Sequence, residues 1–92
     1  MGFLYIIRCS DDTLYTGSTK QLHVRISQHK NGTGAQYTKV RRPLELIFVQ
    51  NFTSVSEAFY MEKQIQNWSK RKKLALVDSD FNQLKIYAKK IF

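Results

Sequence analysis

The sequence has few cysteine and proline residues and no long apolar segment. Its 92 residues include one cysteine, Cys9, and one proline, Pro43. A single cysteine cannot form an internal disulfide, and it excludes a zinc site built from several cysteines. No apolar run approaches the roughly 18 to 20 residues that a membrane-spanning helix needs. Residues 1–12 also lack the basic start and cleavage site of a secretory signal. We therefore expect a cytoplasmic protein that does not bind or span a membrane.

Acidic residues are scarce relative to basic ones. The chain has 15 Lys and Arg against 7 Asp and Glu, which gives a formal net charge of +8. Hydrophobic residues make up 42% and aromatic residues 13%, which is enough apolar material for one small folded core. The excess positive charge indicates a polyanionic partner, because Lys and Arg that neutralise phosphates release condensed counterions. The alternative interpretation of each basic run is a solvated surface.

The first half of the chain has the pattern of a β-hairpin followed by a helix. Residues 3–7 are aromatic or β-branched, polar turn formers follow, and residues 14–16 return to a strand pattern. Gly17 is expected to break this second strand. Ser18 or Thr19 is expected to cap a helix that ends near residues 31–32. The next segment, residues 31–43, combines glycines, proline and positive charge, which predicts a basic loop.

The second half begins with the strongest strand pattern and continues with a helix. Residues 44–52 have a nearly continuous apolar centre, which predicts a strand buried on both faces. Ser54 and Glu57 have capping-box spacing and start a helix that extends to about residue 68. The apolar residues of its buried face recur every three or four positions: Ala58, Met61, Ile65 and Trp68. Glu62 lies at the edge of this face, where a carboxylate can line a cleft.

The remaining residues predict further helices and complete the fold class. Residues 74–77 indicate a short buried helix after the basic run at 70–73, and a last helix is expected over about 80–91. No internal repeat or low-complexity tract is present, so residues 1–92 are interpreted as one domain with a core at about 3–77. Strands come first and helices dominate later. This order predicts an α+β fold with a small three-stranded sheet, mixed or antiparallel, flanked by helices.

Common catalytic motifs are absent from the sequence, including the P-loop, the nucleophile elbow and His-Glu-x-x-His. Cys9 ends a strand and is interpreted as inert packing. Asp11 and Asp12 are interpreted as turn residues rather than a metal pair. What remains is a spaced series of residues on different elements: Tyr5, Tyr15, Gly17, Arg25, His29, Tyr37 and Glu62. Each alone would be a packing or surface residue, and only their joint spacing indicates a site.

This spaced series resembles the GIY-YIG nuclease family. The two signature strands match residues 4–6, or loosely 3–5, and residues 15–17. The matching positions continue through Arg25, His29, the GTGAQYT segment at 32–38, Arg42, Pro43, Glu62 and Lys63. The chain is especially similar to the small stand-alone bacterial members, which are related to the N-terminal catalytic domain of the excision-repair endonuclease subunit. The resemblance covers roughly residues 3–77.

The chain departs from the family pattern at a few positions. Leu4 and Thr16 stand where the signature has isoleucine, and both are compatible with a strand. Related small members often have lysine at the position of Gln66, and Asn67 is the counterpart of a late family asparagine. The departures at residues 66 and 67 bear on DNA-binding strength more than on cleavage chemistry.

The resemblance implies a metal-dependent endonuclease that hydrolyses DNA, with a role in DNA repair or recombination. It assigns one Mg²⁺ or Mn²⁺ to Glu62, whose single carboxylate suffices for an ion that keeps several waters. It assigns transition-state charge to Arg25, which offers bidentate donors. Tyr15 is the first choice for the general base, with Tyr5 orienting water. His29 is the alternative base or a proton relay.

Further expectations concern the substrate and its contacts. Gly17 is expected to allow the backbone to approach substrate or to turn into the helix, and Tyr37 to orient a phosphate. The absence of a base-reading motif favours branched or distorted DNA over a particular sequence. The candidate nucleic-acid contacts are Tyr37, Lys39, Arg41, Arg42, Lys63, Lys70, Arg71, Lys72 and Lys73. The alternatives are a non-catalytic nucleic-acid-binding module with the nuclease fold and a subunit that docks on a partner protein.

Overall fold

The computed structural model describes residues 1–79 and has one three-stranded antiparallel sheet with four helices. The elements in chain order are β1 (Gly2–Arg8), β2 (Leu14–Thr19), α1 (Leu22–Asn31), α2 (Gln36–Lys39), β3 (Glu45–Phe52), α3 (Val55–Gln66) and α4 (Lys70–Ser79). The strand order is β2-β1-β3, and β1 is antiparallel to both neighbours. The predicted α+β class is confirmed. The helix expected over about 80–91 lies outside the described residues.

The sheet buries apolar side chains on both faces because successive residues of a strand point in opposite directions. On one face, Tyr5 of β1 packs in a cluster with Leu22 of α1. On the other, Ile6 packs in a cluster with Ile65 of α3. Residues 46–49 of β3 are also buried, as the apolar centre of this strand predicted. Each fully buried aliphatic side chain contributes about 1.5–3 kcal/mol, so the two clusters hold helices against both faces.

The ends of α1 and α3 follow local sequence signals. The Ser54 hydroxyl accepts a hydrogen bond of 3.2 Å from the Glu57 backbone N–H, which confirms the capping box and is worth about 1 kcal/mol. α3 ends at Gln66, slightly before the predicted end. Gly32 follows α1 with a φ of 78°, and this left-handed conformation stops the helix as expected.

The prediction that Gly17 breaks β2 is wrong. β2 continues to Thr19, and Gly17 pairs directly with Tyr5 in the sheet. The predicted side-chain cap of α1 is also wrong, because the residue before the helix is Gln21 and no side chain caps it. The Ser18 hydroxyl is instead directed to a side chain on α3. The hydrogen-bonded pairing of β1 with β2 therefore continues through Gly17.

Two segments contain more helix than the sequence predicted. Residues 31–43 include the short helix α2, and α4 begins within the basic run at residue 70. The Ser69 hydroxyl accepts a hydrogen bond from the Lys72 backbone N–H at the start of α4, which satisfies a donor that the helix itself cannot pair. Within residues 1–79, no helix is long and apolar enough to cross a membrane.

Candidate active site

The candidate site is built around the buried ring of Tyr5. This residue is 1% exposed and lies opposite Gly17 in the β1–β2 register. A Cβ on Gly17 would stand 2.4 Å from the Tyr5 hydroxyl oxygen and 2.5 Å from the carbon that carries it. The end of the ring therefore occupies the space where a side chain at position 17 would lie. Packing of Tyr5, rather than a turn into the helix, accounts for this glycine.

His29 holds the Tyr5 hydroxyl from α1. The His29 side chain is fully buried, and its Nε2 lies 2.8 Å from the Tyr5 hydroxyl oxygen. Its Nδ1 lies 2.8 Å from the hydroxyl oxygen of Thr38 on α2. Thr38 lies in the matching segment at 32–38 but has no role predicted from the sequence, because a threonine in a predicted loop has no distinctive chemistry of its own. Both ring nitrogens of His29 are thus engaged inside the protein.

Burial keeps both members of this pair uncharged. It raises the pKa of Tyr5 to about 12, although the neighbouring Arg25 opposes the shift. It lowers the pKa of His29 to about 4, and the positive charge of Arg25 acts in the same direction. At neutral pH Tyr5 therefore keeps its proton and His29 carries no charge.

Tyr15 connects this buried pair to the surface. Its ring centroid lies 6.5 Å from that of Tyr5 and 5.5 Å from that of His29, which it meets edge to face. On its outer side it stacks on Tyr37 at 5.9 Å. The guanidinium of Arg41 covers the Tyr37 ring at 3.8 Å from the centroid. Aromatic and cation–π contacts of this kind each contribute roughly 0.5–1.5 kcal/mol, so the side chains form a continuous stack from the core outward.

Arg25 of α1 places a positive charge beside both phenols. Its Nη1 donates to the Gln28 side chain at 3.0 Å, and its guanidinium also interacts with the hydroxyls of Tyr5 and Tyr15. Partial burial works against its charge, but the two tyrosines outweigh that effect and raise the pKa of Arg25. The planar group remains charged at any working pH and offers several donors in one plane. It can therefore bind an anionic oxygen next to the phenols.

Glu62 reaches the site from α3 on the opposite face of the sheet. The residue is 8% exposed, and its Oε1 accepts a hydrogen bond of 2.6 Å from the Ser18 hydroxyl. Its Oε2 accepts one of 2.8 Å from the Gln66 side chain and lies 3.6 Å from Lys63 Nζ. The charge of Glu62 also contributes to the raised pKa of Tyr5, so the two residues lie within electrostatic range. Sequence reasoning missed Ser18 as a partner of Glu62.

The donor set around Glu62 fits one hydrated divalent ion. Each carboxylate oxygen accepts one side-chain hydrogen bond from Ser18 or Gln66 and retains further acceptor capacity. In the described part of the chain, no three His, Cys, Asp or Glu side chains converge as a metal cage. Mg²⁺ commonly uses one or two carboxylates together with water and substrate phosphate. Glu62 is therefore the residue that can hold such an ion.

Two of the predicted phosphate contacts hold the segment that carries α2. Arg41 Nε donates to Asp11 Oδ2 at 3.0 Å. Arg42 donates to the backbone carbonyls of Lys30 and Lys39 at 3.0 and 3.3 Å. An exposed ion pair such as Arg41–Asp11 contributes up to about 1 kcal/mol. Both arginines thus have structural contacts, whereas the Lys39 side chain is exposed.

The basic run at the start of α4 is divided between surface and interior. Three of its side chains are exposed: Lys70, Arg71 and Lys72. Lys70 pairs with Asp12 at 2.6 Å, and the ammonium of Lys72 lies 4.2 Å from the ring centroid of Trp68. Lys73 differs from them, because it is 7% exposed and burial lowers its pKa. The Lys73 side chain is therefore packed in the fold and poorly placed to contact a phosphate.

Residues set aside in the sequence analysis have the structural roles expected of them. Cys9 is buried, and burial raises the pKa of its thiol, as in an inert packing cysteine. Asp12 has a φ of 68° in the β1–β2 turn. Asp11 accepts a hydrogen bond from the Thr13 backbone N–H. The prediction that both aspartates are turn residues is confirmed.

Comparisons with known proteins bear on the family and the fold of the chain. The "GIY-YIG catalytic domain" family profile matches residues 1–75. A UPF0213 protein of Staphylococcus epidermidis is 43% identical over 75 residues, which cover 82% of this chain and 92% of that relative. UPF0213 proteins of Staphylococcus saprophyticus and Staphylococcus aureus are 45% and 44% identical with the same coverage.

A solved structure supports the fold as well. The solution NMR structure of a UPF0213 protein from Bacillus halodurans matches with a TM-score of 0.57 and 38% identity, over 87% of this chain and 86% of that one. These relatives are small stand-alone bacterial proteins. The chain therefore belongs to the GIY-YIG catalytic-domain family, whose domain is of the nuclease type.

Proposed function

We propose that the chain is a divalent-metal-dependent endonuclease that hydrolyses phosphodiester bonds in DNA and selects DNA structure over sequence. The observation that carries this proposal is that β2 lies between two parts of the site: the cluster of Arg25 with the tyrosines, and the carboxylate of Glu62. The charge of Arg25 interacts with the phenols of Tyr5 and of Tyr15 on β2, and Glu62 is hydrogen-bonded to Ser18 of β2. A cation, a phenol and a carboxylate are the groups that phosphodiester hydrolysis needs for charge stabilisation, proton transfer and metal binding.

Arg25 binds the scissile phosphate in this proposal. Its guanidinium offers two parallel donors to phosphate oxygens and stays charged throughout the reaction. Its hydrogen bond to Gln28 holds the group before substrate arrives. Loss of one preorganised donor to a developing oxyanion slows an enzyme by about 10²–10³-fold. We expect a loss of that order for Arg25→Ala.

Tyr15 is the general base in its phenolate form: the phenol first loses its proton to solvent, and the phenolate then accepts a proton from the attacking water. Tyr5 is poorly suited to this role, because its pKa is raised to about 12 and its hydroxyl is bound to His29. Tyr15 is only partly buried and lies beside Arg25, which stabilises negative charge developing on its oxygen. His29 is fully buried, with both ring nitrogens hydrogen-bonded. Its role is to hold Tyr5 rather than to accept a proton from water.

Glu62 holds the single divalent ion, Mg²⁺ or Mn²⁺, and Ser18 and Gln66 orient its carboxylate. When bound, the ion supplies Lewis-acid stabilisation of charge on the phosphate and the leaving oxygen. Outer hydrogen bonds of this kind fix the direction of a ligand and tune its basicity. Gln66 therefore contributes to the metal site in this proposal by orienting the Glu62 carboxylate.

The net charge of +8 supports a polyanionic substrate. The exposed cations Lys63, Arg71 and Lys72 are the proposed phosphate contacts near α3 and α4, and Tyr37 borders the site from α2. Contacts of this class read the backbone and shape of DNA rather than its bases. We therefore propose branched or distorted DNA as the substrate, in repair or recombination.

The proposal is tested by incubating the full chain with supercoiled, nicked and branched DNA in Mg²⁺, in Mn²⁺ and in chelator. Wild type should cleave only with metal, and Glu62→Gln should be at least about 100-fold slower. Glu57→Gln is the matched control on α3, because glutamine keeps the capping box and Glu57 lies outside the site.

Two outcomes would overturn the proposal of a metal-dependent endonuclease that uses Glu62. The first is metal-independent cleavage that Glu62→Gln leaves unchanged. The second is salt-dependent DNA binding with no cleavage by wild type under any of these conditions, which would favour the non-catalytic binding module instead. Recovery of a stoichiometric partner protein in place of DNA binding would favour the docking subunit.

A further inference from the structure

Thr38 is the end of a chain of buried hydrogen bonds that leads to Arg25. Its hydroxyl oxygen lies 3.0 Å from the Ala35 carbonyl oxygen and 2.8 Å from His29 Nδ1. The other ring nitrogen, His29 Nε2, lies 2.8 Å from the Tyr5 hydroxyl. Tyr5 in turn interacts with the Arg25 guanidinium. Each link joins groups whose donor and acceptor capacities are known, so the direction of the chain can be worked out.

The direction follows first from the α2 end. The Ala35 carbonyl can only accept, so Thr38 donates its single hydroxyl hydrogen there. The Thr38 oxygen then accepts from His29 Nδ1, which must carry the ring hydrogen. His29 Nε2 is left as an acceptor, and the Tyr5 hydroxyl donates to it.

The Arg25 end gives the same direction independently. A guanidinium has only donors, and the positive charge of Arg25 acts on the Tyr5 hydroxyl, so the lone pairs of that oxygen rather than its hydrogen are favoured toward Arg25. The Tyr5 hydrogen must then point to His29, which is the acceptor beside it. In the reverse arrangement, His29 Nε2 would donate to Tyr5 and the buried Tyr5 hydrogen would face a cation. A buried donor without an acceptor is disfavoured. Thr38 at one end of the chain and Arg25 at the other therefore favour the same arrangement, in which His29 carries its hydrogen on Nδ1 and Tyr5 donates to Nε2.

We propose that Thr38 is a positioning residue that fixes His29 as the Nδ1–H tautomer and, through Tyr5, presents an acceptor oxygen to Arg25. This inference deepens the proposed function, on which it rests for the role of Arg25 at the phosphate. It gives His29 a defined task, which is to orient Tyr5 while remaining neutral. It also gives α2 a task in the site, because α2 carries Thr38 and is preceded by Ala35.

The tautomer can be measured directly in the free protein. In ¹⁵N-labelled protein at pH 7, long-range ¹H–¹⁵N correlation spectra distinguish a protonated from an unprotonated ring nitrogen. We expect His29 to have a protonated Nδ1 and an unprotonated Nε2, and the exposed His23 serves as an internal reference. Thr38→Ser keeps the hydroxyl and should give the same pattern. Thr38→Val removes it and should yield a mixture or the opposite tautomer.

Cleavage assays on the same variants complete the test. Thr38→Ser should retain most of the activity, and Thr38→Val should lose about 10- to 100-fold in kcat, as is typical when an outer hydrogen bond is removed. A protonated Nε2 in wild type, or a Thr38→Val spectrum identical to wild type, would overturn the inference. If Thr38→Val does not fold, the wild-type spectrum still decides the tautomer. If the tautomer is as expected but no variant or wild type cleaves DNA, the nuclease proposal fails and the hydrogen-bond assignment stands.

Discussion

Replacing Gly17 by alanine tests the contact between Tyr5 and β2 on which the proposed site depends. The added Cβ would stand 2.4 Å from the Tyr5 hydroxyl oxygen and 2.5 Å from the adjacent ring carbon, well inside a normal contact of about 3.5 Å. The ring cannot withdraw freely, because it is 1% exposed and its hydroxyl is bound to His29 at 2.8 Å. Overpacking should cost about 1–3 kcal/mol. Loss of the Tyr5–His29 hydrogen bond would add about 1 kcal/mol.

The sign of the change in stability distinguishes a clash with Tyr5 from the ordinary backbone effect of alanine. Alanine in place of glycine within an ordinary strand stabilises a protein by roughly 0.5–1 kcal/mol. The expected destabilisation of Gly17→Ala is therefore opposite to the effect of the backbone alone. The Tyr5→Leu background supplies the control, because leucine lacks the ring carbon and hydroxyl that the new Cβ would meet. In that background Gly17→Ala should be neutral or stabilising.

Urea unfolding of wild type, the two single variants and the double variant measures the coupling between positions 5 and 17. We expect the two substitutions to be non-additive by about 2 kcal/mol or more. Cleavage by Gly17→Ala should fall together with stability, because displacement of Tyr5 also disturbs Arg25. A Gly17→Ala variant as stable as wild type, or an equal effect in both backgrounds, would refute the reasoning.

Three further predictions concern Glu62, His29 and the basic run. Ser18→Ala removes a hydrogen bond to Glu62 and should raise the Mg²⁺ concentration needed for half-maximal cleavage about tenfold; an unchanged requirement would contradict the assigned role. Burial lowers the pKa of His29 to about 4, whereas the ordinary histidine pKa of about 6.5 applies to the unfolded chain. Between about pH 6.5 and pH 4, the unfolded chain therefore binds a proton at His29 that the folded chain does not. Stability should therefore fall by up to about 3 kcal/mol as pH falls through that window, and urea unfolding of His29→Gln should lack this slope. In fluorescence-anisotropy titrations of DNA, Arg71→Ala should reduce the slope of log affinity against log salt by about one, whereas Lys73→Ala should leave the slope unchanged and lower stability instead. Equal effects of the two substitutions on the slope would contradict the buried position of Lys73.

The parts of the fold that the sequence predicted depend on local signals. The start of α3 follows from Ser54 and Glu57, which lie three residues apart and bond to each other. The end of α1 follows from Gly32, whose positive φ suits glycine. Both signals act within one helical turn, so neither needs knowledge of the tertiary structure. The strand at β3 was predictable for a related reason, because a run of apolar residues indicates burial on two faces.

The misread position at Gly17 has a tertiary cause. Glycine weakens an isolated strand, so a break was the expected interpretation. In the folded chain the missing side chain leaves room for the ring of Tyr5, whose partner strand keeps the ladder intact. The benefit appears only when both strands are paired, and no property of the residues next to position 17 reports it.

The missed partners Ser18 and Thr38 have a similar explanation. Ser18 and Glu62 are 44 positions apart, and Thr38 and His29 are nine apart. Serine and threonine are also common in caps and loops, so local context favours a different interpretation of both. Their roles depend on which side chains the sheet and α2 bring to them. Spacing identified the residues with distinctive chemistry, but it could not identify the ordinary hydroxyls that orient them.

Residues 17 and 18 of β2 link the two halves of the proposed site. Gly17 faces the side of the sheet that carries Tyr5, and the next residue, Ser18, points to the opposite face, where it donates to Glu62. The phenols and the carboxylate thus approach one another at a single edge strand. A shift of one residue in the β1–β2 register would place either Thr16 or Ser18 opposite Tyr5 in place of Gly17, so that a side chain would enter the space that the Tyr5 ring occupies. The length of the β1–β2 turn therefore constrains the chemistry of the site as well as the pairing of the strands.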